Sequence, residues 1–369
     1  MAYFKTLFLI NRHNIKYQFL LALTILFTFI QIGNTVSQNR PFLLEENSAA
    51  RQAVQSILSQ FKKIDPSEQE TQKDPLYFNL IQQSELLARK EQALLFENWK
   101  LLNEASLELV EVRESFLTLP GSKKYQSYLP TLAENQLEKT FFQKIQKDHI
   151  PLITENSTLV MAMISLIVSL GFLWFPLNAL ISSDLLLEEM NHLSVTNGYP
   201  ISFRKRILLK ISFLFGIFLL VLFLILLLAG IMGIFSPIGS LCYPVPIYIQ
   251  NYQTVPFWLY LFLIIGYLLM LTLFTTLLSL SLNYLLNNLY ITIFTSFGLY
   301  LLPYFFPNFM KSLWFLPSIF LNPVQLLQGE FLKETFLSGI GVLATWCLFF
   351  ITFLSRVLNA QKLKERRHR

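Results

Sequence analysis

The chain has 369 residues, of which 53% are hydrophobic, 15% aromatic and only 14% charged. Soluble domains carry about 25% charged residues, so this composition excludes an ordinary soluble protein. The formal charge of +6 is unevenly placed: residues 38–155 hold 14 Lys/Arg against 17 Asp/Glu, and the rest holds 15 against 6. That split fits membrane orientation and excludes nucleic acid as the partner of the basic charge.

Residues 1–16 predict a cytoplasmic segment in which Met1–Arg12 lies on the membrane as an amphipathic helix. Tyr17–Val36 predicts the first span. Its short apolar core and Thr35-Val36-Ser37 also allow a cleaved signal peptide; the long, apolar region before it favours an uncleaved anchor.

Residues 38–155 predict a helical extracytoplasmic domain. Leu80, Leu87, Leu94 and Leu101 recur every seven residues, as do Leu95, Leu102, Leu109 and Phe116, which predicts one helix of about forty residues with an apolar stripe. A helix upstream carries Val54, Ile57, Leu58 and Phe61, and one downstream carries Leu132, Leu137, Phe141 and Ile145. Pro66, Pro75, Pro120-Gly121 and Pro130 punctuate them. Two readings stay open: a hairpin that buries its own stripe, or a stripe that docks a second copy or a substrate.

Five more spans follow: Thr158–Ile181 (with 158–181 as span two), Ile207–Phe235, Phe257–Leu282, Leu289–Phe306 and Phe336–Leu358. Outer loops fall at 236–256 and 307–335, and a basic tail at 359–369. From Ile211 to Met310 no Asp, Glu, Lys, Arg or His occurs. Basic residues flank the first and last spans (Lys5, Arg12, Lys16; Lys362, Lys364, Arg366, Arg367), which predicts both termini inside. In the 236–256 loop, Tyr243, Tyr248, Tyr252 and neighbouring Trp258 read as an interfacial aromatic belt. Pro307–Leu327 reads as a pair of short helices dipping into the outer leaflet. Thr272, Thr275, Thr276, Ser279 and Asn283 read first as helix-packing groups. Cys242 and Cys347 lie too far apart in the topology to pair, and no Cys/His cluster exists for zinc.

The loop 182–206 carries the most information. Leu186, Met190 and Leu193 fall on one helical face, with Glu188, Glu189, Asn191 and His192 elsewhere. Gly198 can end that helix and Pro200 breaks it. Pro200-Ile201-Ser202-Phe203-Arg204-Lys205-Arg206 then leads into the third span. An ordinary amphipathic connector is one reading. An acidic residue, a short amphipathic helix, Pro-Ile-Ser, basic residues and Ile207-Leu208-Leu209-Lys210 also resemble the permeases of type-2 ABC transporters. Leu321-Asn322-Pro323 and the Lys/Arg-bearing N-terminal helix are similar to segments of the same family. One branch of that family inserts a large domain between the first two spans. The Gly-Thr pair often found after the acidic residue is absent, since Asn191-His192 stand near that position.

The resemblance implies an all-α integral membrane protein of six transmembrane helices with an extracytoplasmic helical domain between spans one and two. It implies a bacterial plasma-membrane exporter subunit paired with a second permease copy or a homologous permease, and with a cytoplasmic ABC ATPase subunit. ATP would be bound by that partner and no cofactor by this chain. Glu188, Glu189, His192, Leu193, Pro200, Arg204 and Lys205 are the expected ATPase-coupling residues. The energetics agree, because no Gly-x-x-x-x-Gly-Lys-Ser/Thr occurs and the spans carry almost no titratable groups for ion-coupled transport; the exception, Arg356, is close enough to the inner surface to snorkel. Intramembrane catalysis is disfavoured: Glu188-Glu189 has one histidine nearby, and no span offers a base. The alternative is a non-transporting sensor, immunity or scaffold protein acting through its helical ectodomain.

Overall fold

A computed structural model describes residue 9 and residues 14–37, 42–64, 74–148, 158–191, 201–232, 238–310, 312–330 and 335–367. Most of the expected N-terminal surface helix lies outside these residues. Helix α1 (Ile15–Ser37) is charge-free beyond Lys16 and buries Leu20, Thr24, Thr28 and Ile32. These four recur at one-turn spacing and so share a face. The Thr24 and Thr28 hydroxyls donate to the carbonyls of Leu20 and Thr24, at 2.7 and 2.8 Å. Polar groups are thereby satisfied within the helix.

The inserted domain consists of α2 (Phe42–Ile64), α3 (Pro75–Leu95), α4 (Trp99–Thr118) and α5 (Leu132–Asp148). The forty-residue helix expected from the leucine repeat is in fact α3 and α4 folded against each other. Glu97 adopts a left-handed φ of 52°, which ends the first helix, and Asn98 restarts the chain by accepting the Leu101 amide at 3.1 Å. Leu80 and Leu87 then share a core with Leu109 and Phe116, and Leu94 shares one with Leu102. The stripe is consumed inside the domain, while Leu95 beside the turn stays exposed. Buried asparagines staple the helices: Asn47 donates to the Leu87 carbonyl, Asn79 to that of Val112 and Asn135 to that of Val110.

The chain then forms α6 (Leu159–Ser182), the short α7 (Leu187–Asn191) and α8 (Phe203–Met232). A hairpin follows, β1 (Pro244–Tyr248) paired antiparallel with β2 (Tyr252–Pro256), in register Val245↔Val255 and Ile247↔Gln253. This two-stranded element is an addition to an otherwise helical chain, and of the expected belt aromatics Tyr243 alone is buried. Val245, Ile247 and Val255 alternate inward, which is a period of two. The prolines cost little in so short a ribbon, where each strand has a free edge. Tyr243 is buried, with its ring 5.9 Å from that of Phe141 on α5. Trp258 is exposed, as an interfacial residue should be.

Helix α9 (Phe257–Leu286) is the centre of the bundle. Thr272, Thr275, Thr276, Ser279 and Asn283 are all buried. Most bond backward along the helix or across it: the Trp174 indole of α6 donates to the Leu268 carbonyl and the Thr272 hydroxyl at 2.9 and 3.0 Å. Their packing role is therefore the observed one. Asn287, at φ 46°, closes α9, and Asn288 opens α10 (Leu289–Phe305) by accepting from the Tyr290 and Ile291 amides.

Helix α10 departs from the six-span expectation. It has 17 residues, about 25 Å of helix, at the lower limit of the roughly 17–25 residues that a crossing takes. Among the described residues five helices, α1, α6, α8, α9 and α13 (Phe336–Arg367), are long and apolar enough to cross a membrane. The expected broken segment follows it: α11 (Pro307–Met310), a 3-10 turn (Pro317–Leu321) and α12 (Pro323–Gln328). Here Asn322 caps α12 through the Val324 amide, and Gly329 ends it at φ 73°. Phe320 and Leu321 are fully buried beneath the inserted domain's end of the bundle. Both cysteines are free.

Candidate functional site

The site lies at the bundle end opposite the inserted domain, where α6 stops and α8 begins. Ser182 closes α6 by donating to the Asn178 carbonyl at 2.7 Å, and its hydroxyl lies 2.8 Å from that of Ser279 on α9. The chain turns through residues 183–186 and forms the five-residue α7. Leu185, Leu186 and Leu187 are buried, so the turn is packed into the bundle.

Three charged contacts fasten it. Asp184 accepts from Lys16 on α1 at 2.5 Å. Glu189 lies 3.1 Å from the Arg206 Nε and 3.4 Å from the Lys210 Nζ, both on α8. Arg206 and Lys210 are one turn apart and so meet Glu189 from a single helix face. Secondary contacts fix the cations: Arg206 donates to the Ile201 carbonyl and stands over the Phe203 ring, while Lys210 donates to the Leu185 carbonyl. Charges this deep are stable only when paired and hydrogen-bonded. Glu189 and Arg206 are each 2% exposed.

The expected coupling residues therefore separate. Glu189 is interior although it lies off the apolar face read from the spacing, and it pairs with α8 of its own chain. Arg204 and Lys205 are exposed beside it. The side chain of Glu188 and all of His192, Leu193 and Pro200 lie outside the described residues. Arg206 and Lys210 complete the site; both stand in the basic motif that carries the resemblance, though neither was among the expected coupling residues. Among the described residues no group of His, Cys, Asp and Glu is arranged to hold a metal ion.

What the arrangement can do is mechanical. One short turn is tied to α1 by Asp184, to α8 by Glu189 and to α9 by Ser182, so displacing it loads three long helices together. The fold defines a multi-pass helical membrane protein with a helical domain inserted after its first long helix. No protein-family model, curated protein or solved structure matches the chain.

Proposed function

We propose that this chain is the membrane-spanning permease subunit of a bacterial type-2 ABC exporter, forming the translocation path and driven by a separate cytoplasmic ATPase subunit. The end bearing Lys16, Arg206 and Arg356 faces the cytoplasm, and the inserted domain faces outward. A second permease copy or a homologous permease completes the path. The observation that carries this reading is the triple fastening of the 183–191 turn with Arg204 and Lys205 exposed next to it.

The mechanism follows from stiffness. The ATPase docks against the turn and the Arg204–Lys205 corner. ATP binding and hydrolysis there move the docked surface. Asp184, Glu189 and Ser182 pass that movement to α1, α8 and α9, and the buried Glu189–Arg206 pair is the stiffest of the three ties, since it resists separation by several kcal/mol. Alternating direction supports an even number of passes. α10 returns the chain from the end of α9 toward α12, so Tyr304 reaches Asn322 and Gln325. α13 then runs back to bring Phe353 against Tyr284.

A photoreactive residue in place of Lys205 tests the assignment. Illumination of intact cells should capture a polypeptide that carries a phosphate-binding loop. Capture of neighbouring membrane proteins alone would favour the sensor or scaffold reading.

A further inference from the structure

A cavity of about 840 Å³ lies between the inserted domain and the bundle, within the size range of small-molecule sites. The mechanism above does not use it, and ligand binding there requires no ATPase. Its walls come from α2, α3, α4 and α5, from Met161 in the first turn of α6, and from Tyr243 and Pro246 at the hairpin. It thus sits where the domain meets the start of a membrane-crossing helix, within reach of molecules held at a bilayer surface.

Its lining is of two kinds. Leu43, Ala50, Leu94, Phe142 and Met161 give it an apolar wall. Three carboxylates, Glu46, Glu134 and Glu138, face two cations, Lys90 and Arg113. Both cations are committed to Glu138, each at 2.7 Å, and Lys90 also stands over the Phe142 ring. Glu134 is taken up by the start of α5, where it accepts from the Thr131 amide and hydroxyl. That leaves Glu46. Among the described residues no hydrogen bond or ion pair engages its carboxylate. Desolvation first, then Glu138 and Glu134, raise its carboxyl above the ordinary range against the opposing pull of Lys90 and Arg113. Glu46 is itself exposed, so its carboxylate is open to solvent at the cavity and free to meet an incoming cation.

We propose that this cavity binds an amphipathic amine, with its aliphatic part on the apolar wall and its ammonium on the Glu46 carboxylate. A single carboxylate supplies one or two oxygens, far fewer than the six to eight a calcium ion takes, whereas it suffices for one ammonium. Phe141 and Tyr243 are on the same lining, and aromatic rings attract a cation.

The test uses the full chain in zwitterionic lipid nanodiscs, titrated calorimetrically with dodecylamine or dodecanol at about pH 7, where the amine is charged. Heats from empty discs are subtracted. Wild type should bind dodecylamine saturably; Glu46→Gln should weaken that binding about tenfold and leave dodecanol binding unchanged. Ala50→Trp, which fills the cavity, should abolish both. Equal dodecylamine binding by wild type and Glu46→Gln, or no saturable heat above empty discs, would overturn the proposal.

Discussion

Glu189 on α7 and Arg206 on α8 lie 3.1 Å apart with side chains 3% exposed. Each is thus the other's counter-charge in the interior, and Lys210 adds a second positive charge to the same carboxylate. A pair of this kind is weak as a source of stability but strong as a constraint, since losing one partner strands the other.

Removing one side is therefore costlier than removing both. Arg206→Met should destabilise the protein by about 3–5 kcal/mol, and Glu189→Met combined with Arg206→Met should recover much of that loss. Thermal unfolding in a mild detergent, followed by tryptophan fluorescence, reads the difference. Equal melting of the single and double variants would show that the pair does not constrain the turn.

Arg204 and Lys205 should behave in the opposite way. Both are exposed, so Arg204→Glu with Lys205→Glu should change stability by no more than about 0.5 kcal/mol. The same variant should lose its cytoplasmic partner in co-purification. This reversal is cleaner than charge reversal at Glu189, where lost coupling and lost packing coincide.

The inserted domain should unfold in acid. Burial pushes the Glu138 carboxyl up, but Lys90 and Arg113 outweigh it and hold the group down at about 2, against an ordinary 4.5. A depressed folded value stabilises the protein above the ordinary carboxylate range, and that contribution is lost as pH falls from about 4.5 toward 2. Far-ultraviolet circular dichroism should show helix loss in that window. Glu138→Gln, having no such carboxylate, should lack this component of the transition.

Close packing near α12 makes a further prediction. A Cβ on Gly339 would stand 2.7 Å from the Tyr267 hydroxyl and 3.0 Å from Phe320 Cδ1. That hydroxyl donates to the Phe320 carbonyl at 2.8 Å. Gly339→Ala should therefore cost about 1–3 kcal/mol through overpacking. Adding Tyr267→Phe, which removes the hydroxyl, should restore part of the loss in the same melting assay.

How much of this was legible in the sequence depends on the range of the interaction. The long apolar helices, the broken Pro307–Gln328 segment and the buried threonines of α9 follow from composition and local spacing. The leucine repeat gave the right faces but the wrong helix, because it runs unbroken through residues 96–98. Only the left-handed backbone at Glu97 and the Asn98 cap reveal the reversal. The hairpin was hidden by its prolines, which local propensity reads as loop. Periodicity put Glu189 off the apolar face of Leu186, Met190 and Leu193 and gave no sign that it is buried. Its burial depends on α8 returning to supply Arg206 and Lys210, a contact across 17 and 21 residues of chain.

The most direct measurement of the central claim is the composition of the complex in its own membrane. The tagged chain would be crosslinked in cells, extracted in mild detergent and analysed by mass spectrometry beside the Arg204→Glu, Lys205→Glu variant. The account predicts a stoichiometric cytoplasmic subunit with a phosphate-binding loop that accompanies the wild type and is lost from the variant. A crosslinked wild-type complex with no ATPase in it would contradict the account.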